Sequence, residues 1–192
     1  MATIYQVSEA AGVSLATVSR VMNGNARVSE RTRKKVEDAM ASLGYQPNAI
    51  AQSLASNRTN SVGLLVSELH GSYFGDLMST VEHVLKKSGK HVIITAGHVD
   101  EEREHEAIEF LKSRRCDALI LHAEAVSDDY LKKLVDSKVP VVVINRKVEQ
   151  LDQHCFVVDN VKGGYLATKA AIDAGHENIA YISGPLFKKD AS

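Results

Sequence analysis

The chain has 192 residues, 44% of them hydrophobic and 24% charged, with 12 glycines and 3 prolines. That composition belongs to a globular protein of one or two domains and excludes a disordered, collagen-like or low-complexity chain, while no apolar run approaches the ~20 residues of a membrane helix. The formal charge of −1 divides unevenly, into seven Lys or Arg against four Asp or Glu up to residue 60 and 16 against 20 thereafter. A basic head on an acidic body points the head at a polyanion, although chance surface charge accounts for the same split.

The amino terminus, MATIYQVSEA, lacks a basic stretch followed by an apolar segment, so a cytoplasmic protein is expected. Thr3 and Gln6 have the spacing of a capping box, and Ile4, Val7 and Ala11 then fall on one helical face until Gly12 interrupts. Ser14 is placed to cap a second helix from about Leu15 to Asn23, with Val18, Val21 and Met22 apolar. Two short helices joined through A-G-V-S make a helix-turn-helix. Ser29 caps a third, whose stripe is Val36, Ala39, Met40 and Leu43, ended by Gly44 and Pro47. Such a small core leaves no room for an enzyme cleft.

The second helix carries small and hydrogen-bonding groups on its first turns and outward face: Ser14, Leu15, Ala16, Thr17, Ser19, Arg20 and Asn23. A major groove admits a helix of this kind if side chains near its start reach base edges and others grip phosphates. Arg20 and Asn23 suit phosphates, and Leu15 and Ala16 suit thymine methyls or groove shape. An ordinary capped surface helix explains the serines and threonines equally well.

The stretch from Thr3 to about Ser56, with its AGVSLATVSRVMN core and the later GYQPN, resembles the DNA-binding head of LacI/GalR-family transcriptional regulators. The resemblance implies that Leu15 and Ala16 chiefly discriminate operators, in the manner of the galactose-repressor branch. It also implies DNA contacts for Thr3, Tyr5, Ser14, Thr17, Ser19, Arg20, Asn23, Val28, Ser29, Thr32, Tyr45 and Asn48. Asn48–Ser56 matches the family's hinge helix, on which Ala51 and Leu54 complete the DNA-contacting set. At about nine residues that helix is below the ~12–15 at which an isolated helix is marginal, so it is expected to order only on DNA or a partner hinge. The resemblance makes Leu54 a wedge in the minor groove; packing on the body as a linker anchor is the alternative.

From residue 61 strands and helices alternate. Val62–Val66, Val92–Ile94, Ala118–Leu121, Val141–Ile144, Phe156–Val158 and Ile179–Ile182 read as six strands. The intervening helices carry stripes at Phe74, Leu77, Met78, Val81 and Leu85, then Ala107, Ile108 and Leu111, then run over 128–136 and 164–174. Buried β-branched strands with helical crossovers imply a doubly wound parallel α/β sheet. Cys116 and Cys155 lie far apart in apolar surroundings, as thiols in a reducing compartment do.

Ligands of such sheets bind beyond the carboxyl ends of the strands. That rule selects Ser67 to Phe74, His122, Asn145, Arg146, Asp159 and Asn160, which offer an aromatic face, hydrogen-bonding groups and one fixed cation to a sugar or another small polar molecule. Phe74 as helix core, Asp159 as a helix cap and Arg146 as a solvated loop residue are the competing readings. The family resemblance extends to this half, implying an effector domain like periplasmic sugar-binding proteins, with Tyr73, Phe74, His122, Asn145 and Asp159 lining its cleft.

The resulting division is a helix-turn-helix head over 1–46, a hinge helix and linker over 47–60, the first lobe of an effector domain over 61–160, and the start of a second lobe over 161–192. The resemblance implies a longer chain, so a fragment or a truncated gene is expected, with an open cleft and an unpaired sheet edge. An enzyme is the main rival, yet no nucleophile elbow, phosphate loop or G-x-G-x-x-G is present. Eight histidines are scattered without metal-ligand spacing, and His98 and His105 read as surface groups. Glu101, Glu102, Glu104, Glu106 and Glu109 read as the exposed side of a solvated helix rather than a paired acid and base. A sugar-binding module with an incidental helical head is the other rival. The expected protein is a homodimeric, non-enzymatic regulator of carbohydrate metabolism, a repressor by preference. Its expected partners are a double-stranded DNA operator and a small sugar-type effector, with no cofactor, metal or membrane.

Overall fold

The computed structural model describes residues 2–22, 28–46, 53 and 58–182. It divides into two compact units, Met1–Ser56 and Asn57–Ser192.

The first unit holds α1 (Ile4–Ala11), α2 (Leu15–Met22) and α3 (Glu30–Ser42). Each begins at a hydroxyl cap. Thr3 and Gln6 form the reciprocal capping box, with Gln6 Oε1 accepting the Thr3 amide at 2.9 Å and Thr3 Oγ1 accepting the Gln6 amide at 3.4 Å. Gly12 ends α1 in the left-handed region at φ 63°, which lets its amide and that of Val13 return to the Glu9 and Ser8 carbonyls. That reversal is open to glycine because a Cβ penalises it. Val7, Ala11, Val18, Val21, Val36 and Ala39 are buried together, with Ile4, Val13, Met22, Val28, Met40 and Tyr45 packed around them. Leu43 departs from its expected place on the α3 stripe: the helix ends at Ser42, so Leu43 is its C-cap, and it is exposed. Asn23 and, apart from Ser53, the expected hinge helix Asn48–Ser56 lie outside the described residues.

The second unit runs β1 (Ser61–Val66), α4 (Ser72–Lys87), β2 (His91–Ala96), α5 (Glu101–Ser113), β3 (Ala118–Leu121), α6 (Asp128–Val135), β4 (Val141–Ile144), a 3-10 turn (Asp152–His154), β5 (Cys155–Phe156) and α7 (Asn160–Asp173). The five strands are parallel in the order β2-β1-β3-β4-β5, with Val62 beside Val92 and Ala118, Leu119 beside Val141, and Val143 beside Cys155. Leu65, Ile108, Leu111, Leu119, Leu121, Leu131 and Val143 form the centre of the core. Gly63 on β1 admits that packing, since a Cβ there would lie 2.7 Å from Leu119 Cδ2 and 3.0 Å from Leu111 Cδ1. Cys116 is buried and Cys155 half-buried, and neither is in a disulfide.

Three expectations need correction. Ile179–Ile182 is not a strand in the structure; it has no ladder partner among the described residues, and Ile182 is 96% exposed. An apolar run becomes a strand only where a neighbour offers hydrogen bonds and a cover. The fifth strand is two residues long rather than three, with Val157 and Val158 exposed past its end. The following helix starts at Asn160, four residues before Gly164, because Asp159 caps it by accepting the Lys162 amide at 2.9 Å. Among the described residues no helix is long and apolar enough to cross a membrane.

Candidate nucleic-acid interface and ligand cleft

On the head, Ser14 Oγ accepts the Thr17 amide at 3.2 Å and lies 2.9 Å from the Thr17 hydroxyl. Ser29 and Thr32 repeat the arrangement at 3.3 and 2.8 Å. With Thr3, five of the expected DNA-contacting residues are therefore also helix starters, and the competing cap reading holds for them. The two roles are compatible, because a capped N-terminus is also the positive end of a helix dipole and favours phosphate. Thr3, Tyr5, Ser14, Ala16, Arg20 and Ser29 are exposed, whereas Leu15, Thr17, Ser19, Val28, Thr32 and Tyr45 are half-buried. Val28 and Tyr45 pack on the core. Asn23, Asn48, Ala51 and Leu54 lie outside the described residues.

The cleft is built where the strand order reverses. Chain connections leave β1 for β2 on one side and reach β3 on the other, and the carboxyl ends of β1 and β3 meet at this switch point. Ser67, just past β1, is buried and donates its hydroxyl to Glu124 Oε1 at 2.9 Å. His122, just past β3, is also buried, with Nδ1 3.0 Å from the same hydroxyl. A hydroxyl has one hydrogen and a carboxylate has none, so Nδ1 carries the proton and donates to Ser67. The His122 ring is edge-on to Phe74 at 5.2 Å and to Tyr73 at 6.2 Å between centroids. Tyr73 is exposed and Phe74 half-buried, so the aromatic wall is partly helix packing and partly open surface.

Arg146 is not a solvated loop residue. It is buried, donating from Nη1 to the Ala123 carbonyl at 3.0 Å and from Nη2 to Asp128. Its charge therefore holds the loop after β3. Asn145 beside it takes a left-handed φ of 59° and donates its amide to the Phe156 carbonyl at 2.8 Å. Asp159 caps α7 and is exposed. The structure thus joins Tyr73, Phe74 and His122 in one aromatic cluster and sets Arg146 under the loop that follows His122.

Two residues escaped sequence reasoning. Glu104 is not on the solvated side of its helix: it is 0% exposed, and its oxygens accept the amides of Glu124, Ala125 and Val126, each at 2.9 Å. Glu124 itself is the second. Its Oε1 takes the Ser67 hydroxyl, while Oε2 is buried without a partner among the described residues, as is Arg146 Nε. The available signal for Glu104 was Gly97, seven residues upstream, where a Cβ would come 2.5 Å from Glu104 Cγ. No group of three or more His, Cys, Asp or Glu among the described residues is arranged to hold a metal. His98 is exposed as expected, 3.2 Å from Glu68, whereas His105 is half-buried with its ring 4.1 Å from that of Tyr130.

Comparison with known proteins matches residues 3–48 to bacterial regulatory proteins of the lacI family, and residues 59–188 to periplasmic binding proteins and the sugar binding domain of the LacI family. The HTH-type transcriptional regulator GalS of Salmonella typhimurium is 40% identical over 183 residues, covering 95% of this chain and 54% of that protein. The regulator GalR of Escherichia coli is 41% identical over 182 residues, covering 95% and 53%. The chain thus spans about half the length of these curated relatives. Among solved structures, the lac repressor dimer bound to operator and the anti-inducer ONPF superposes with a TM-score of 0.83 at 30% identity, covering 99% of this chain and 58% of that one. The complex of the transcriptional regulator CelR with cellobiose gives 0.55 at 30% identity, covering 100% and 58%.

Proposed function

We propose, from the premise that the chain belongs to the LacI family of bacterial regulatory proteins, that it is a sequence-specific DNA-binding regulator of carbohydrate metabolism, by preference a repressor, whose operator affinity responds to a small sugar-type effector. One observation carries the reading: α2 is a hydroxyl-capped helix that turns Ala16 and Arg20 to solvent while Val18 and Val21 anchor it in the core. Leu15 and Ala16 read base edges, Arg20 and Asn23 hold phosphate, and Thr3, Tyr5, Ser14, Thr17, Ser19, Val28, Ser29, Thr32, Tyr45 and Asn48 make further contacts to DNA. Ala51 and Leu54 act from the hinge. One short recognition helix spans too few base pairs for specificity, so the operator is a paired half-site read by a homodimer. The division stays as read from the sequence, with the head to residue 46, the linker to 60, the first lobe to 160 and a second lobe beginning at 161. The protein works in the cytoplasm, by binding and not by turnover.

The relatives' effectors supply the ligand class: the related CelR structure holds cellobiose and the related lac repressor an anti-inducer. Tyr73, Phe74 and His122 supply the wall for a sugar ring, and Asn145, Asp159 and the anchored Arg146 complete the effector set. The test is selection from a randomised duplex pool with the purified chain. A two-fold symmetric site should be enriched, Arg20→Ala should weaken binding to all duplexes and reduce the salt slope by about one, and substitution of Leu15 should change the selected sequence. A pool left unenriched, or an Arg20→Ala variant with full affinity, rejects the reading. Measured turnover of a sugar by the same preparation would favour the enzyme instead.

A further inference from the structure

The residues that lead into β1 are tied to the turn before β3. Thr59 donates its amide to Asp117 Oδ1 at 2.9 Å and its hydroxyl to the Arg115 carbonyl at 2.9 Å. Asp117 returns a bond, its own amide donating to the Ser61 carbonyl at 2.7 Å. The second carboxylate oxygen of Asp117 lies 3.5 Å from Lys90 Nζ. Between these contacts Asn60 has a φ of 52° and Arg115 a φ of 56°, two non-glycine residues in the left-handed region that persist only where surroundings hold them. The Asp117 side chain is only 17% exposed. Thr59 precedes the strand, and Asp117 supplies the side-chain acceptor for its backbone amide.

We propose that Asp117 is a positioning residue for DNA binding: by gripping Thr59 it fixes the point at which the chain enters the sheet, so that Thr59 itself need not be ordered on the duplex. The inference rests on the DNA-binding reading above. Its physical basis is entropic, since every linker residue released in the unbound chain must be fixed again on binding. Asp117 also opens the strand that His122 closes, since β3 is Ala118–Leu121, so the linker and the ligand cleft are anchored on one rigid element.

The experiment uses the whole chain and the duplex enriched from the randomised pool. Asp117→Ala should raise the operator Kd about tenfold, the cost of reordering one residue. The slope of affinity against salt and the active fraction in a stoichiometric titration should not change. Asp117→Asn, whose amide oxygen still accepts the Thr59 N–H, should recover most of the affinity. Charge alone gives the opposite sign for both variants, because removing an anion favours a polyanion. Amide exchange without DNA should show Thr59 protected in the wild type and Asp117→Asn and exposed in Asp117→Ala. A wild-type Kd for Asp117→Ala overturns the proposal, as does a loss carried wholly by a smaller active fraction, which marks a merely structural role. An unprotected Thr59 amide in the wild type also overturns it. A wild-type chain that enriches no duplex removes the premise instead, and exchange at Thr59 keeps that failure distinct.

Discussion

Glu104 shows how one side chain serves the cleft without touching it. Its carboxylate gathers three successive backbone donors of the loop after β3, the loop that carries His122 and Glu124. Buried amides stripped of an acceptor cost about 1–3 kcal/mol each. Glu104→Gln turns one acceptor into a donor facing donors, and is expected to destabilise the α/β unit by about 2–4 kcal/mol in urea unfolding. Glu101→Gln, exposed on the same helix, should stay within about 0.5 kcal/mol. Equal effects from the two would refute this account of Glu104. Gly97→Ala should fail with it, since the new methyl meets the Glu104 stem at 2.5 Å.

Two titrations belong to the same scale. Burial works to raise the Asp117 carboxyl, but the Thr59 amide and hydroxyl and the Lys90 ammonium outweigh it and hold the group below the usual carboxylate range. A folded value lower than the unfolded one means stabilisation that is complete at neutral pH and is lost as acid carries the pH down through the lowered value. Asp117→Asn should therefore flatten the acid limb of the unfolding curve; an unchanged limb would contradict the assignment. Tyr130 goes the other way. Burial, then the Glu109 charge and its hydrogen bond at 3.3 Å, push the phenol up to about 12, so absorbance should show a phenol ionising above the ordinary tyrosine range, and Glu109→Gln should bring it down.

At the scale of elements, the head depends on contacts that its helices lack alone. α1 and α2 have eight residues each, shorter than the ~12–15 at which an isolated helix is even marginal. Caps at Thr3, Ser14 and Ser29 satisfy the first amides, and a cluster of small apolar side chains does the rest. Val18→Ala, at a fully buried position, is expected to cost about 2 kcal/mol from lost transfer energy and the cavity left behind. Faster amide exchange throughout α1–α3, with the α/β unit unchanged, would register it. A change confined to α2 would mean that the three helices do not fold as one. The sheet makes the complementary point: β1 is strand throughout because it is paired on both sides, by β2 and β3, whereas the equally apolar Ile179–Ile182 has no such neighbour among the described residues and stays irregular.

For the whole molecule, the split of charge read from the sequence falls on the split into units. The basic residues of the first 60 belong mostly to a head with no buried charge among its described residues, while the acidic remainder buries Glu104 and Arg146 beneath its candidate cleft. If the head grips phosphates, affinity for the selected duplex should fall steeply and linearly in log–log plots against salt, and a flat plot would contradict phosphate contact.

Local chemistry was legible from the residues alone. Hydroxyl caps, the Gly12 reversal, the apolar stripes and the β-branched runs depend on neighbours a few positions away, so the three head helices, the parallel α/β class and the carboxyl ends of β1, β3 and β4 could all be read in order. The tertiary structure decided what depends on distant partners: that Glu104 turns inward to amides twenty residues on, that Arg146 is buried and bonded to the loop after β3, that Asp117 reaches back to Thr59, and that Ile179–Ile182 finds no strand to join among the described residues. A carboxylate or guanidinium looks the same in sequence whether water or buried backbone satisfies it, and only the assembled neighbourhood determines which does.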